Sequence, residues 1–158
     1  MTTKILTATQ VKAIATVNVN FDPAYFDKSI EYWQDAILKK LLTPDLYADF
    51  IANIGSLSAE YQTLLDDYIQ YALAYGVTFL AIKKDNFGQL DNKGVMQNRG
   101  DYSATTSSVA MQLKEYKERE FHYLYELGCY LLTNKADYPL FDYEETYLGT
   151  DFRDFTIV

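Results

Sequence analysis

Ser58-Ala-Glu-Tyr-Gln-Thr-Leu-Leu-Asp-Asp-Tyr-Ile-Gln-Tyr-Ala-Leu-Ala-Tyr-Gly-Val-Thr-Phe-Leu-Ala-Ile-Lys-Lys84 decides the fold. Tyr61, Leu64, Leu65, Tyr68, Ile69, Ala72, Leu73, Phe79, Leu80 and Ile82 recur at helical spacing and fill a wide apolar face. Ser58 suits the N-cap, Glu60 the first turn, and Lys83-Lys84 the negative end of the helix dipole. Such a helix spans roughly 40 Å and needs a partner of similar length. Downstream, Ser107 or Ser108 caps that partner. Val109, Leu113, Tyr116, Leu124, Leu127 and Leu131 mark its buried stripe, and Asn134 marks its end. The expected fold is mainly α: a small helical bundle with two long antiparallel helices, about 58–84 and 108–134. Leu64, Leu73, Leu80, Leu113, Leu124 and Leu131 are expected to be buried.

Working upstream, Asn20-Phe21-Asp22-Pro23 is a strong helix start, with Asp22 as cap and Pro23 in the first turn. Ile30, Trp33, Ile37, Leu38 and Leu41 continue that helix. Thr43-Pro44 repeats the cap-plus-proline signal, and Leu46, Phe50, Ile51 and Ile54 carry a short helix to Gly55, placed as a C-cap. Ile5, Leu6, Val11, Ile14 and Val17 surround an N-cap at Thr7 or Thr9, which predicts a short first helix. The segment 23–54 is expected to lie across the two long helices.

Between the long helices, residues 85–107 collapse into Gly, Asn, Asp, Ser and Thr, punctuated by Gly88, Gly94 and Gly100. That is long for a connector; such segments are usually functional or drawn out into a hairpin arm. A projecting assembly arm is expected, with Phe87, Leu90, Val95, Met96, Arg99 and Tyr102 as contact residues. Two units result: a helical domain over 1–137 that includes the arm, and an extended tail over 138–158. Residues 135–158 carry six acids and two bases, a net of −4, yet also Tyr138, Phe141, Tyr143, Tyr147, Phe152 and Phe155. The acids keep this segment soluble, and the aromatics are too costly to leave exposed together. These six are expected to dock on an adjacent protein, the alternative being that the tail packs back on its own bundle.

The chain has 158 residues, 49% apolar and 23% charged, ordinary composition for one domain. A formal charge of −8 argues against a surface built to grip phosphates. Apolar stretches break within about ten positions, too short to cross a bilayer. Met1-Thr-Thr-Lys-Ile-Leu does not read as a secretory signal, so the chain is expected to stay where it is made. A lone cysteine, Cys129, excludes an internal disulfide and is expected to be a buried thiol. Fifteen Tyr and nine Phe exceed what one core of this size hides, and the surplus favours protein interfaces.

Chemistry is scarce. Glu118, His122 and Glu126 share a helical face, but a di-iron bundle needs Glu-x-x-His twice, and there is no second histidine. A solvated face with local pairs such as Lys114 with Glu118 is the better reading. Gly88-Gln-Leu-Asp-Asn-Lys-Gly94 is one residue too long for a phosphate loop and lacks the following Lys-Ser/Thr. Asp66-Asp67 and Glu144-Glu145 have no pocket to tune them. No catalytic, cofactor or metal residues are assigned, and no enzyme is expected.

The order short helix, Asp-Pro helix, Thr-Pro helix, long helix, Gly-rich arm, long helix and aromatic tail resembles a known family. It is similar to the head-to-tail connector adaptors, or ring (head-completion) proteins, of tailed bacteriophages, including crAss-like and other phages of Bacteroidales. The resemblance rests on Phe21-Asp22-Pro23 through Ile30-Glu-Tyr-Trp-Gln34, on Lys40-Leu-Leu-Thr-Pro-Asp-Leu-Tyr47, and on Tyr61-x-x-Leu-Leu-x-x-Tyr68. Asn92-Lys-Gly-Val95 and Leu132-Thr-Asn-Lys-Ala-Asp-Tyr-Pro139 complete it. The chain departs from the family pattern at Leu41-Leu42-Thr43 and in its longer acidic tail. What the resemblance implies is a virion structural protein of the neck, assembled from host cytoplasm into a ring of about twelve copies closed by a head-to-tail interface. Its partners would be itself, the portal and neighbouring tail proteins; DNA would pass through an acidic channel without specific binding, and no membrane is involved. The rival expectation is a small cytoplasmic interaction module or dimeric regulator; a metal-dependent enzyme ranks last.

Overall fold

Thr7 opens α1 (Ala8–Ala15) with a reciprocal capping box: its hydroxyl accepts from the Gln10 N–H, and the Gln10 side chain accepts from the Thr7 N–H. The structure is a computed structural model and describes residues 3–17, 23–87, 89–91, 94–96 and 106–142. Pro23 starts α2 (Pro23–Trp33) as expected, and the Asp22 cap lies outside the described residues. α2 runs on through a π turn at Gln34–Leu38, where the Lys39 N–H reaches back five residues to the Gln34 carbonyl, into α3 (Lys39–Leu42). Gln34 is fully buried. Its Oε1 accepts from the Ile5 N–H at 3.0 Å and its Nε2 donates to the Thr3 carbonyl at 2.9 Å, tying the start of the chain to the bundle.

α4 (Pro44–Ala52) begins on Pro44, but Thr43 is not its side-chain cap. Thr43 takes φ 69° and ψ 152°, and its hydroxyl turns to the distant Leu140 carbonyl. Nor does Gly55 end α4: Asn53 does, its N–H and Nδ2 both donating to the Asp49 carbonyl. Ser58 caps α5 (Ala59–Thr63), which continues through a π turn at Leu64–Ile69 into α6 (Gln70–Phe87). The long helix expected over 58–84 therefore exists, runs to Phe87, and contains a π turn across which the fully buried residues step by five, from Leu64 to Ile69. β1 (Gln89–Asp91) and β2 (Gly94–Met96) pair antiparallel with Leu90 opposite Val95. α7 (Thr106–Thr133) starts before Ser107 and Ser108, which lie inside it rather than capping it, and Asn134 follows its end.

The molecule is a mainly α, small helical bundle. Rising numbers on α6 and the turn before it meet falling numbers on α7: Tyr68 with Tyr130, Tyr71 with Tyr123, Tyr75 with Tyr116. The two helices are thus antiparallel, and their seam is the largest packing contact among the described elements. α1 and α2 pack on the other side of α6, so Leu73, Ala74, Val77 and Ala81 are enclosed. Leu64, Leu73, Leu124 and Leu131 are buried as expected. Leu80 and Leu113 are only half-buried. Both lie past the Tyr75–Tyr116 pair at one end of the seam, where a side chain meets fewer neighbours than at its middle. Among the described residues, no helix is long and apolar enough to cross a membrane.

Candidate functional site

The seam closes tightly at Gly76. An ideal Cβ there would lie 2.5 Å from Glu120 Oε1 and 2.7 Å from its Cδ, and nearer still to the Trp33 indole nitrogen. Without a side chain at position 76, α2, α6 and α7 converge. Trp33 Nε1–H donates to Glu120 Oε1 at 2.7 Å, and Lys117 Nζ donates to Oε2 at 2.8 Å. Glu120 is only 1% exposed, so this carboxylate is held inside the bundle with both oxygens engaged. A buried charge that is paired and hydrogen-bonded is tolerated, and removing one partner strands it. Lys117 also lies over the Phe79 ring at 5.4 Å, which fixes its stem against α6. No proton relay follows from this geometry; it sets the register of three helices.

Tyrosines continue the seam to both sides. Tyr75 stacks on Tyr123 and Tyr116, and Arg119 lies over the Tyr75 ring at 5.3 Å while donating to its hydroxyl at 3.2 Å. Tyr130 and Tyr61 both pack on Tyr138, and Tyr61 meets Phe50. This ladder absorbs much of the tyrosine surplus within the chain.

A cleft of about 330 Å³ opens where α4, α5 and the turn after α7 meet, lined by Asp49, Asn53, Ser56, Ser58, Glu60, Tyr61 and Asp137. Asp49 is already engaged: Tyr61 donates to its Oδ2 at 2.6 Å and Asn53 to its Oδ1 at 3.1 Å. Burial and the neighbouring Asp49 push the Tyr61 hydroxyl up to about 12. Hydrogen bonds from its own backbone and from Ser58 hold the Glu60 carboxyl below its ordinary value. The lining contains no histidine or cysteine; Ser58 serves as a helix cap, and Asn53 and Tyr61 both bond Asp49.

The residues singled out from sequence fall in different places. Tyr138 and Phe141, expected to dock on a neighbour, are 1% and 2% exposed in their own chain and belong to its core. The reason is their position: the turn after α7 brings the Tyr138 ring back onto Tyr61 and Tyr130 and its hydroxyl to the Glu60 carbonyl, and carries Phe141 into the core cluster three residues on. Tyr143, Tyr147, Phe152 and Phe155, with Arg99 and Tyr102 of the arm, lie outside the described residues. Phe87 ends α6, Leu90 sits in β1, and Val95 and Met96 in β2, but their side chains are likewise outside the described part. Lys114 and Glu118 form the expected i, i+4 pair at 3.7 Å, and His122 stands edge-on to Tyr123. Among the described residues, no group of three or more His, Cys, Asp or Glu is placed to hold a metal. Cys129 is exposed, not buried, because it lies two residues from both Leu127 and Leu131 on the opposite face of α7.

Sequence reading missed the Trp33–Glu120–Lys117 cluster. Its signal was present: Glu120 lies four residues from both Tyr116 and Leu124, in phase with the buried stripe. It missed a second apolar stripe as well. Met111, Phe121, Tyr125 and Leu132 recur on the outer face of α7, with Met111 74% and Tyr125 49% exposed.

No curated protein and no solved structure matches the chain. A family model, described as a family of unknown function (DUF6712), matches residues 23–150, from the Pro23 helix start through both long helices and beyond the Tyr138–Phe141 turn. The chain therefore belongs to the DUF6712 family.

Proposed function

We propose that this chain is a virion structural protein, a ring-forming adaptor that joins the portal to the tail of a bacteriophage and continues its DNA channel. The observation that carries the reading is the order of elements. A short capped helix, a Pro23 helix, a Pro44 helix, a long helix, a paired β segment and a second long helix follow in the sequence that the resemblance to connector adaptors implies. Two further features support it. The outer face of α7 offers apolar side chains that its own core does not use, and Tyr32 and Leu140 are exposed elsewhere, as a subunit with a neighbour on each side requires. A charge of −8 gives a channel wall that repels DNA and lets it slide.

The test is co-expression of the full chain with the portal protein of the same phage genome, followed by native mass spectrometry. The reading expects a complex whose mass corresponds to about twelve copies on one portal ring. A discrete dimer that leaves the portal untouched would favour the dimeric-regulator reading instead.

A further inference from the structure

The joint between α3 and α4 is strained, and the strain is held from the other end of the chain. Thr43 has φ 69° with ψ 152°, a region open essentially to glycine and severe for a β-branched side chain. It differs in this from Thr16, whose φ 56° and ψ 41° form an ordinary left-handed helix cap. A relaxed alternative is close. The residue before a proline favours extended backbone at negative φ, and the ψ of Thr43 already fits it, so φ alone must turn. Turning φ swings α4 relative to α3 and moves the Thr43 carbonyl, which accepts the first helical bond of α4 from the Tyr47 N–H at 2.9 Å.

What opposes that turn is the strap over residues 138–141. Thr43 is 1% exposed beneath it, and its hydroxyl donates to the Leu140 carbonyl at 3.1 Å. The strap is anchored on both sides of this bond. The Tyr138 hydroxyl donates to the Glu60 carbonyl at 3.0 Å, its ring lies against Tyr61 and Tyr130, and Phe141 is buried, with its N–H donating to the Tyr138 carbonyl. We infer that strap and joint form a latch: the docked strap keeps Thr43 in its strained conformation, and a released strap lets the joint relax and frees the first turn of α4. Residues 143–158 follow the strap directly, so a protein that captures the tail gains a handle on α4. That consequence rests on the adaptor reading, whereas the coupling between strap and joint does not.

Hydrogen exchange on the full chain alone, read by mass spectrometry over residues 42–50 and 138–142, tests the coupling without any partner. Phe141→Ala frees the strap; the milder Phe141→Leu replaces it should helicity fall. With Thr43 present, freeing the strap accelerates exchange in the first turn of α4 by roughly 5- to 150-fold, the span that backbone strain of this class sets. With Thr43→Gly, which adopts positive φ without strain, the same change accelerates it by less than about threefold. Equal acceleration in both backgrounds would reduce the strap to a cover and overturn the latch. So would an unchanged α4 in the Thr43 background.

Discussion

Gly76→Ala adds one methyl group at the place where three helices meet. The new Cβ would sit 2.5 Å from Glu120 Oε1, with the Trp33 indole nitrogen nearer still, and neither neighbour has room to withdraw, since Trp33 is fully buried and Glu120 nearly so. Relief requires breaking the 2.7 Å Trp33–Glu120 bond or parting α6 from α7. Losing a hydrogen bond to a charged group costs about 1.5–3 kcal/mol, and overpacking adds about 1–3 kcal/mol. The better helix propensity of alanine returns about 1 kcal/mol. A net loss of ~2–5 kcal/mol follows, which lowers Tm by roughly 4–20 °C for a domain of this size. Urea titration followed by circular dichroism and by the fluorescence of Trp33, the single tryptophan, measures it. In a Trp33→Phe background, where the indole N–H is gone, the same glycine change should cost at least ~1 kcal/mol less. A variant within ~1 kcal/mol of wild type would refute the close approach, and full additivity of the two substitutions would refute its assignment to Trp33.

Other perturbations reach separate parts of the account. Thr78 is fully buried in α6 with an unpartnered hydroxyl, so Thr78→Val should leave stability unchanged or raise it by about 1 kcal/mol in the same titration; a loss above that size would mean the hydroxyl has a bonding role. Leu73→Ala in the enclosed middle of α6 should cost ~2–5 kcal/mol, while Leu80→Ala at the end of the seam should cost less; the reverse order would contradict the burial pattern. The Tyr61 hydroxyl, raised to about 12, keeps its proton where an unfolded tyrosine loses it near pH ~10. Its contribution is therefore complete below pH ~10 and declines as pH climbs toward about 12, and Tyr61→Phe should flatten the fall in stability between pH ~9 and ~11. An identical slope in wild type and variant would show that Tyr61 titrates normally.

Much of the bundle can be read directly in the sequence. Proline at positions 23 and 44, the Thr7 cap, the Leu64–Leu73 and Leu124–Leu131 stripes and the stop at Asn134 are local signals, each carried by a few adjacent residues. What escaped is decided by contacts between distant segments. Thr43 looks like a cap because Pro44 follows, but its hydroxyl bonds Leu140, 97 residues away. Tyr138 and Phe141 read as a sticky tail until the turn after α7 returns Tyr138 to Tyr61 and Tyr130 and buries Phe141 in the core. Cys129 has the helical phase of an outer residue, and the absence of an activating base beside it, which argues against a reactive thiol, does not place it in the core. The two π turns shift the buried face by one residue, so fully buried residues step by five, Trp33 to Leu38 and Leu64 to Ile69; apolar Ile37 and Tyr68 at the ordinary step of four mask that shift. Glu120 has the phase of the buried stripe, but an acid is tolerated there only through its bond to Trp33, which crosses 87 residues.

Quantitative mass spectrometry of purified phage particles tests the adaptor reading most directly, because it counts copies where the protein would act. The account predicts the full chain in every particle at about one copy per portal subunit, and its loss from particles whose heads lack tails at the neck. Finding the chain only in the host cell fraction, with none in tailed particles, would contradict it.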